Sequence, residues 1–305
     1  MGYYIKEKLY SEYNMTIIKR SKVVFAVLVV LFALPTVLFG IESFNKEDAF
    51  LTFSPYVELG FTKVLNHTLQ FGEDGTNFDY VKQGGQELLF FFQRYSLDVG
   101  LGDRNTLTFL YQPLTLETQT KIPEDKKNGV TIEDVTFAPG TGLDLKYGFD
   151  FYRISYLFSF VRTDRFMFGA GLSLQFRNAS IVFESTDGSD ITINQNLGPV
   201  PIIKLKSEYR FPCGIFLGAE VDGFYASSAI FNGADFPFTG WIYDATLQAG
   251  TEVNPATDMY ISVRLLGGGA LGTSDYEREI WTESSSGYTE NDLTTLIFAV
   301  GARLK

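Results

Sequence analysis

Residues 200–225 read VPIIKLKSEYRFPCGIFLGAEVDGFY, and the architecture of the whole chain can be worked out from that stretch. On its first arm Ile203, Leu205, Tyr209 and Phe211 share one parity, and Lys204, Lys206, Glu208 and Arg210 the other. A period of two with unlike faces marks a β-strand. After Pro212-Cys213-Gly214 the second arm alternates again, Ile215, Leu217, Ala219, Val221 and Tyr225 against Glu220 and Asp222. With Pro212-Cys213 at the centre of the turn, Lys204 falls opposite Asp222 and Lys206 opposite Glu220, within reach of each other. In a soluble sandwich the apolar face would turn to a core; in a transmembrane barrel it would turn to lipid and the charges would line a lumen.

The same pattern recurs along the chain. Strands are expected over 50–71, 88–101, 106–118, 141–160, 166–183, the two arms above, 241–253, 259–271 and 293–304. In the first, Phe53, Pro55, Val57, Leu59, Phe61, Leu65 and Leu69 share the outward parity, which puts His67 outward as well. In 141–160 the apolar parity changes near Phe151-Tyr152, which implies a bulge. The run Leu88 to Phe92 does not alternate and fits either a membrane interface or a loop helix. Tight turns at 102–105, 162–165, 212–214 and 254–258 alternate with long polar connections at 72–87, 119–139, 186–198, 227–240 and 272–291. An even strand number with short turns at one end and long loops at the other is the layout of an antiparallel, up-and-down transmembrane β-barrel of ten strands. A sandwich has no reason to keep its long connections on alternate turns.

Composition agrees with this all-β reading. The 305 residues include 29 Phe, 17 Tyr and 29 Gly, and mean hydropathy is near zero, as alternating strands require and bundled apolar helices do not. A net charge of −11 with no basic stripe argues against nucleic acid. The only cysteine, Cys213, rules out an internal disulfide and a thiolate metal cluster. Lys19-Arg20-Ser21-Lys22 followed by the uncharged run from Val23 to Gly40 has the form of a secretory signal helix, with Met15 as a possible start and a retained anchor as the alternative. The expected organisation is therefore a signal segment at 1–40 and a barrel domain at 41–305.

Parity assigns the lumen. Glu58, Asp98, Arg153, Arg177, Lys204, Lys206 and Glu208 point inward on the first strands, and Glu220, Asp222, Asp244, Glu252, Arg264 and Arg303 on the later ones. A ten-stranded barrel is little wider than the eight-stranded kind that side chains fill, so this set reads as a plug of ion pairs, with a gated path for a small solute as the alternative. Among the loop aromatics, Phe231, Phe236, Phe238 and Trp241 form a candidate contact surface for an extracellular ligand or partner. No metal site and no cofactor are expected, since one His and one Cys leave only loose oxygen ligands such as Glu73-Asp74 and Asp187 to Asp190.

The signal, the ten two-faced strands and the apolar final strand with Leu296, Phe298, Val300 and Leu304 resemble Gram-negative-type outer-membrane barrel proteins over residues 50–305. Phe151 to Tyr156 together with Thr163-Asp164-Arg165 is similar to a group of ten-stranded barrels with no assigned role. The resemblance implies outer-membrane lipid and the barrel assembly machinery as partners and a monomeric barrel, although these barrels commonly end in an aromatic residue and this chain ends Leu304-Lys305. Hydrolytic barrels of this kind, the omptin proteases and the outer-membrane phospholipase and lipid A deacylase families, rely on a His as base, so His67 is the one weak catalytic candidate. Its surroundings depart from theirs, with Leu69 where the lipid hydrolases carry Ser and Asn66 where the omptins carry Asp.

Overall fold

The structure, a computed structural model, describes residues 50–228, 238–273 and 287–305. The expected signal at 1–40 and the loop residues Phe231 and Phe236 lie outside the described residues. Fourteen strands follow one another: β1 Leu51–Phe71, β2 Phe78–Asp79, β3 Leu89–Leu101, β4 Asn105–Gln112, β5 Thr115–Lys121, β6 Val130–Ile132 and β7 Val135–Phe137; then β8 Gly142–Arg162, β9 Phe166–Ser185, β10 Ile191–Arg210, β11 Ile215–Ser227, β12 Phe238–Asn254, β13 Thr257–Thr273 and β14 Tyr288–Leu304. Pro113, which has no N–H to give, separates β4 from β5; both pair with β8, so they form one strand of the wall. Ten antiparallel wall strands result, and β14 pairs with β1 from Tyr56↔Arg303 to Phe71↔Thr289 to close the ring. Closure leaves no sheet edge to be satisfied.

The hairpin read first has the expected register, Lys204↔Asp222 and Lys206↔Glu220. Its turn closes through the Phe211 N–H donating to the Ile215 carbonyl at 2.8 Å, and Gly214, at φ +83°, takes the left-handed position that a side chain would resist. Around the whole ring the outward positions are large, apolar and exposed, among them Phe61, Ile154, Leu172, Leu205, Leu247, Ile261 and Phe298. A belt of this extent far exceeds the roughly few hundred Å² of contiguous apolar surface that water-soluble monomers show. The wall is stable where hydrocarbon, not water, meets it.

Above the belt, at the long-loop end, the pattern inverts. Leu143, Leu145, Tyr147 and Phe151 on β8 and Ile181 and Phe183 on β9 are buried inside the barrel, while Glu117, Gln119, Asp144 and Lys146 alternate with them on the outward face. The expected bulge at Phe151-Tyr152 is absent: β8 and β9 run in unbroken register through Phe151↔Arg177 and Tyr152↔Phe176, and the irregularity lies between Ser159 and Val161. The strand keeps its alternation and its surroundings change, from lipid outside and charge inside to water outside and an apolar core inside.

That core is supplied by connections folding into the mouth. The segment after β1 brings in Phe78 and Tyr80, and the β6–β7 hairpin brings in Val130, Ile132 and Phe137, all fully or almost fully buried beside Leu69, Phe71 and Leu116. Thr76 and Thr131 exchange hydrogen bonds of 2.8 and 2.9 Å, joining the two insertions. Glu133 at the hairpin tip accepts from Thr192 Oγ1 at 2.9 Å and Asn194 Nδ2 at 2.8 Å on β10. The connection expected at 186–198 is in fact a tight turn at 186–190, because β10 begins at Ile191; its polar residues Thr192, Asn194 and Asn196 face the mouth. Leu88 to Phe92 is neither loop nor helix, since β3 starts at Leu89, with Phe91 outward and Phe92 buried inward.

Candidate functional site

The inward charges at belt level meet across the lumen. Asp244 on β12 receives Arg94 of β3 at 3.1 Å, Arg264 of β13 at 2.6 Å and Arg153 of β8 at 3.4 Å. Arg153 also pairs with Asp222 and donates through Nε and Nη2 to Gln175 at 2.9 and 2.8 Å. Glu58 takes Arg264 at 3.0 Å and Arg94 at 3.4 Å, and Lys204 bridges Glu220 at 2.6 Å and Asp222 at 3.3 Å. Lys206 reaches Asp98 of β3 at 3.3 Å. Arg94–Asp244, Arg153–Asp244 and Lys206–Asp98 join strands four apart around a ring of ten, close to a full diameter, while the other pairs join strands one to three apart. Five carboxylates thus face five cations in side chains almost wholly withdrawn from solvent. An unmatched ion there would carry a desolvation cost of several kcal/mol, so balance is what the lumen can tolerate. The cavity left within the network is about 40 Å³, room for a few waters.

A second cluster closes the short-turn end. Arg303 pairs with Glu208 at 2.7 Å and Asp258 at 2.6 Å, and Arg210 with the same two carboxylates at 2.9 and 2.5 Å. Tyr56 and Phe216 lie beneath the Arg303 guanidinium. Glu252, expected in the lumen, sits instead at the exposed rim with Lys305 at 2.6 Å, in the last pairs of the β12–β13 ladder beside the irregularity at Glu252/Asn254. At the opposite side of the network a buried collar of Phe92, Leu110, Phe151, Leu266 and Ile297 separates the charges from the mouth.

Arg177 points inward, as expected, but belongs to neither cluster: it stands above the collar with its guanidinium over Phe149. Three groups escaped the sequence reading. Arg94 shares the parity of Asp98 and could have been found that way, had the apolar run before it not blurred the strand's start. Asp258 was expected in a turn, yet it already opens β13. Arg210 was on the polar parity but looked like the end of its strand.

His67 is the clearest displacement. The β1–β14 register shifts between Val64 and Asn66, leaving Leu65 as the extra residue of a bulge, so everything beyond it changes face. His67 and Leu69, expected outward, are therefore fully buried inside. The His67 ring stacks on Tyr80 at 4.2 Å with Tyr147 edge-on at 4.2 Å, and Nδ1 lies 2.7 Å from Gln86 Oε1, the arrangement of an Nδ1–H donor. Nε2 meets no polar partner among the described residues. Tyr80, which falls in the connection expected at 72–87, shares this core, and burial pushes its hydroxyl pKa well up. Phe238 and Trp241 are strand residues of β12, not loop residues: Phe238 lines the mouth, and Trp241 lies over Gly269, where a Cβ would collide with the indole.

Between the inserted plug and strands β10 to β14 the mouth retains a cavity of about 530 Å³. It exists because β12 and β13 present Gly240, Gly268, Ala270 and Gly272 inward, where larger side chains would fill it.

A closed antiparallel ring with hydrocarbon-facing grease and a charge-balanced interior defines an outer-membrane β-barrel protein. No protein-family model matches the chain, and no curated protein matches it. Among solved structures it is similar to the outer membrane protease OmpT from Escherichia coli, with 11% identity, 83% of this chain and 96% of that chain covered, and a TM-score of 0.48. It is also similar to the Pseudomonas putida toluene transporter TodX (10% identity, 86% and 90% covered, TM-score 0.34) and to the outer membrane protein OprG from Pseudomonas aeruginosa (10%, 82% and 95%, TM-score 0.31).

Proposed function

We propose that the protein is a non-enzymatic, non-conducting barrel of the outer membrane of a Gram-negative-type bacterium, exported by the signal at 1–40, monomeric, and working as a binding protein at its long-loop face. One observation carries the reading: the ion-pair network spans the lumen at belt level and is capped by the apolar collar, whereas the mouth above it keeps ligand-sized space. A conducting pore needs a continuous wet path, and ionic bridges across the diameter occupy the place where it would run. The purified protein in planar bilayers is expected to show no discrete single-channel steps. Reproducible unitary conductance, lost on boiling the sample, would overturn the reading in favour of the solute channel. The hydrolytic alternative rests on His67, which faces the plug core and not the rim; His67→Ala is expected to leave lipid and peptide hydrolysis at the level of the untreated membrane.

A further inference from the structure

The mouth cavity has a chemistry of its own. Its walls are apolar, with Phe149, Phe151, Val200, Phe224, Ile242 and Leu266, and its 530 Å³ falls in the range of small-molecule sites, roughly 300–1,000 Å³. One cation stands in it. Arg177 has no carboxylate within ion-pairing distance and no hydrogen bond among the described residues, whereas the inward cations of the two networks below are all paired. Two positions along β9, Gln175 also lines the cavity; it is fully buried, and its Nε2 lacks an acceptor among the described residues. A guanidinium and an amide donor left open in an apolar chamber are complementary to one anionic head with a hydrocarbon body.

The cavity also reaches the wall. The β10–β11 ladder runs from Arg210↔Phe216 to Ile203↔Gly223 and stops, although both strands continue, β10 paired with β9 and β11 with β12. Pro199 and Pro201 sit on β10 where the ladder ends; residues two apart turn their nitrogens to the same edge, and neither proline can donate there. Pro199, Val200 and Pro201 on one side of this seam and Phe224 and Ala226 on the other line the same cavity. Outside it stand Tyr225, exposed, and its cross-strand neighbour Trp241, aromatics of the kind that mark the headgroup level.

We propose that the mouth cavity binds a single-chain amphiphile with a carboxylate head, the tail against Phe151 and Leu266 and the head on Arg177, and that the seam between β10 and β11 is its lateral passage to the outer leaflet. The proposal rests on the barrel being a binding protein, and the bilayer recording above tests that separately: silent bilayers without amphiphile binding sink only the proposal made here. The full-length protein in lipid nanodiscs, free of detergent, is titrated with dodecanoate, dodecanol and dodecyltrimethylammonium by calorimetry. Saturable one-to-one binding is expected for dodecanoate, at least tenfold tighter than for the other two, and Arg177→Gln is expected to abolish that preference while the heat-modifiable gel shift of the folded barrel is kept. Equal binding of the three probes, an unaltered preference in Arg177→Gln, or no saturable binding overturns the site. Ala270→Phe, which fills the chamber, is expected to remove binding of all three; retention of dodecanoate binding places it elsewhere and overturns the site too. In a Cys213→Ser background, Pro201→Cys with Tyr225→Cys bridged by a bis-maleimide is expected to slow transfer of dodecanoate from vesicles at least tenfold without weakening its affinity. An unchanged transfer rate overturns the passage.

Discussion

The belt and the mouth of this barrel are made by the same strands and obey opposite rules. On β8, Arg153 and Ser155 are buried inside while Tyr152, Ile154 and Tyr156 are exposed; a few residues earlier Leu143, Leu145 and Tyr147 take the inside and Asp144 and Lys146 the outside. The backbone parity is the same throughout. What differs is the solvent outside: hydrocarbon rewards apolar side chains at the wall and leaves the polar ones to pair in the lumen, whereas water drives the apolar ones inward as in any soluble core. Along β8 and β9 a transmembrane barrel thus passes into a domain packed like a soluble protein with its register unbroken at Phe151, whereas β1 reaches the same core through the bulge at Leu65.

The comparison can be broken most directly at its ionic half. Asp244→Ala takes the shared carboxylate from Arg94, Arg153 and Arg264 and leaves their charges uncompensated, so it is expected to destabilise the barrel by about 3–5 kcal/mol. Urea unfolding in lipid vesicles measures this, and a loss under 1 kcal/mol would show that the network fills space without holding it. At the mouth, Phe183→Ala removes a ring packed against Phe78 at 5.2 Å and Tyr80 at 5.5 Å and is expected to cost about 3 kcal/mol, confined to the plug. Limited proteolysis should then cut within 72–88 while the belt strands stay protected; simultaneous loss of both would mean that the two halves are one cooperative unit. His67→Phe keeps the stacking on Tyr80 and gives up the Gln86 hydrogen bond, leaving a buried amide unpaired, with an expected cost of about 1–2 kcal/mol in the same proteolysis assay.

The smallest effect is electrostatic. Partial burial alone would raise the Asp79 carboxyl, but N–H donation from Lys82 and Val81 and the Lys82 ammonium at 3.0 Å overrule it and hold the pKa below the usual range. A depressed folded pKa adds stability at pH values above the unfolded one and loses it as the pH falls through the folded value. Amide exchange over 80–84 is therefore expected to quicken below about pH 4. Asp79→Asn should flatten that dependence, and an Asn variant with the same acid response would assign it to another group.

How much of this was legible depended on which solvent the residues face. Lys204, Lys206, Glu220 and Asp222 could be paired from the sequence because a belt hairpin with a three-residue turn has one sensible register. The mouth was misread for a physical reason. There a wall strand that carries polar groups into the mouth, such as Thr192 to Asn196, has the composition of a loop, and an apolar parity that changes sign looks like a bulge although the register at Phe151 is unbroken. The one true bulge of β1, at Leu65, falls inside an apolar–polar mixture that alternates acceptably in either phase, so His67 and Leu69 were placed on the wrong face. Arg177 carried a correct direction and no context, since nothing along the chain announces that its neighbours are Phe149 on the adjoining strand and the glycines of the cavity wall instead of carboxylates.

The carboxylate of Glu133, held by Thr192 and Asn194, has a consequence for how the molecule comes into being. The hairpin that carries it lies some sixty residues before its receptor on β10, so the latch closes only once β10 has taken its place in the wall. Leu69 and Phe71 wait longer still, because their side of the ring is sealed only when the last strand, β14, zips onto the first. Completion of the mouth is therefore bound to closure of the ring, because the contacts that hold its filling are all in place only when β10 and β14 both stand in the wall.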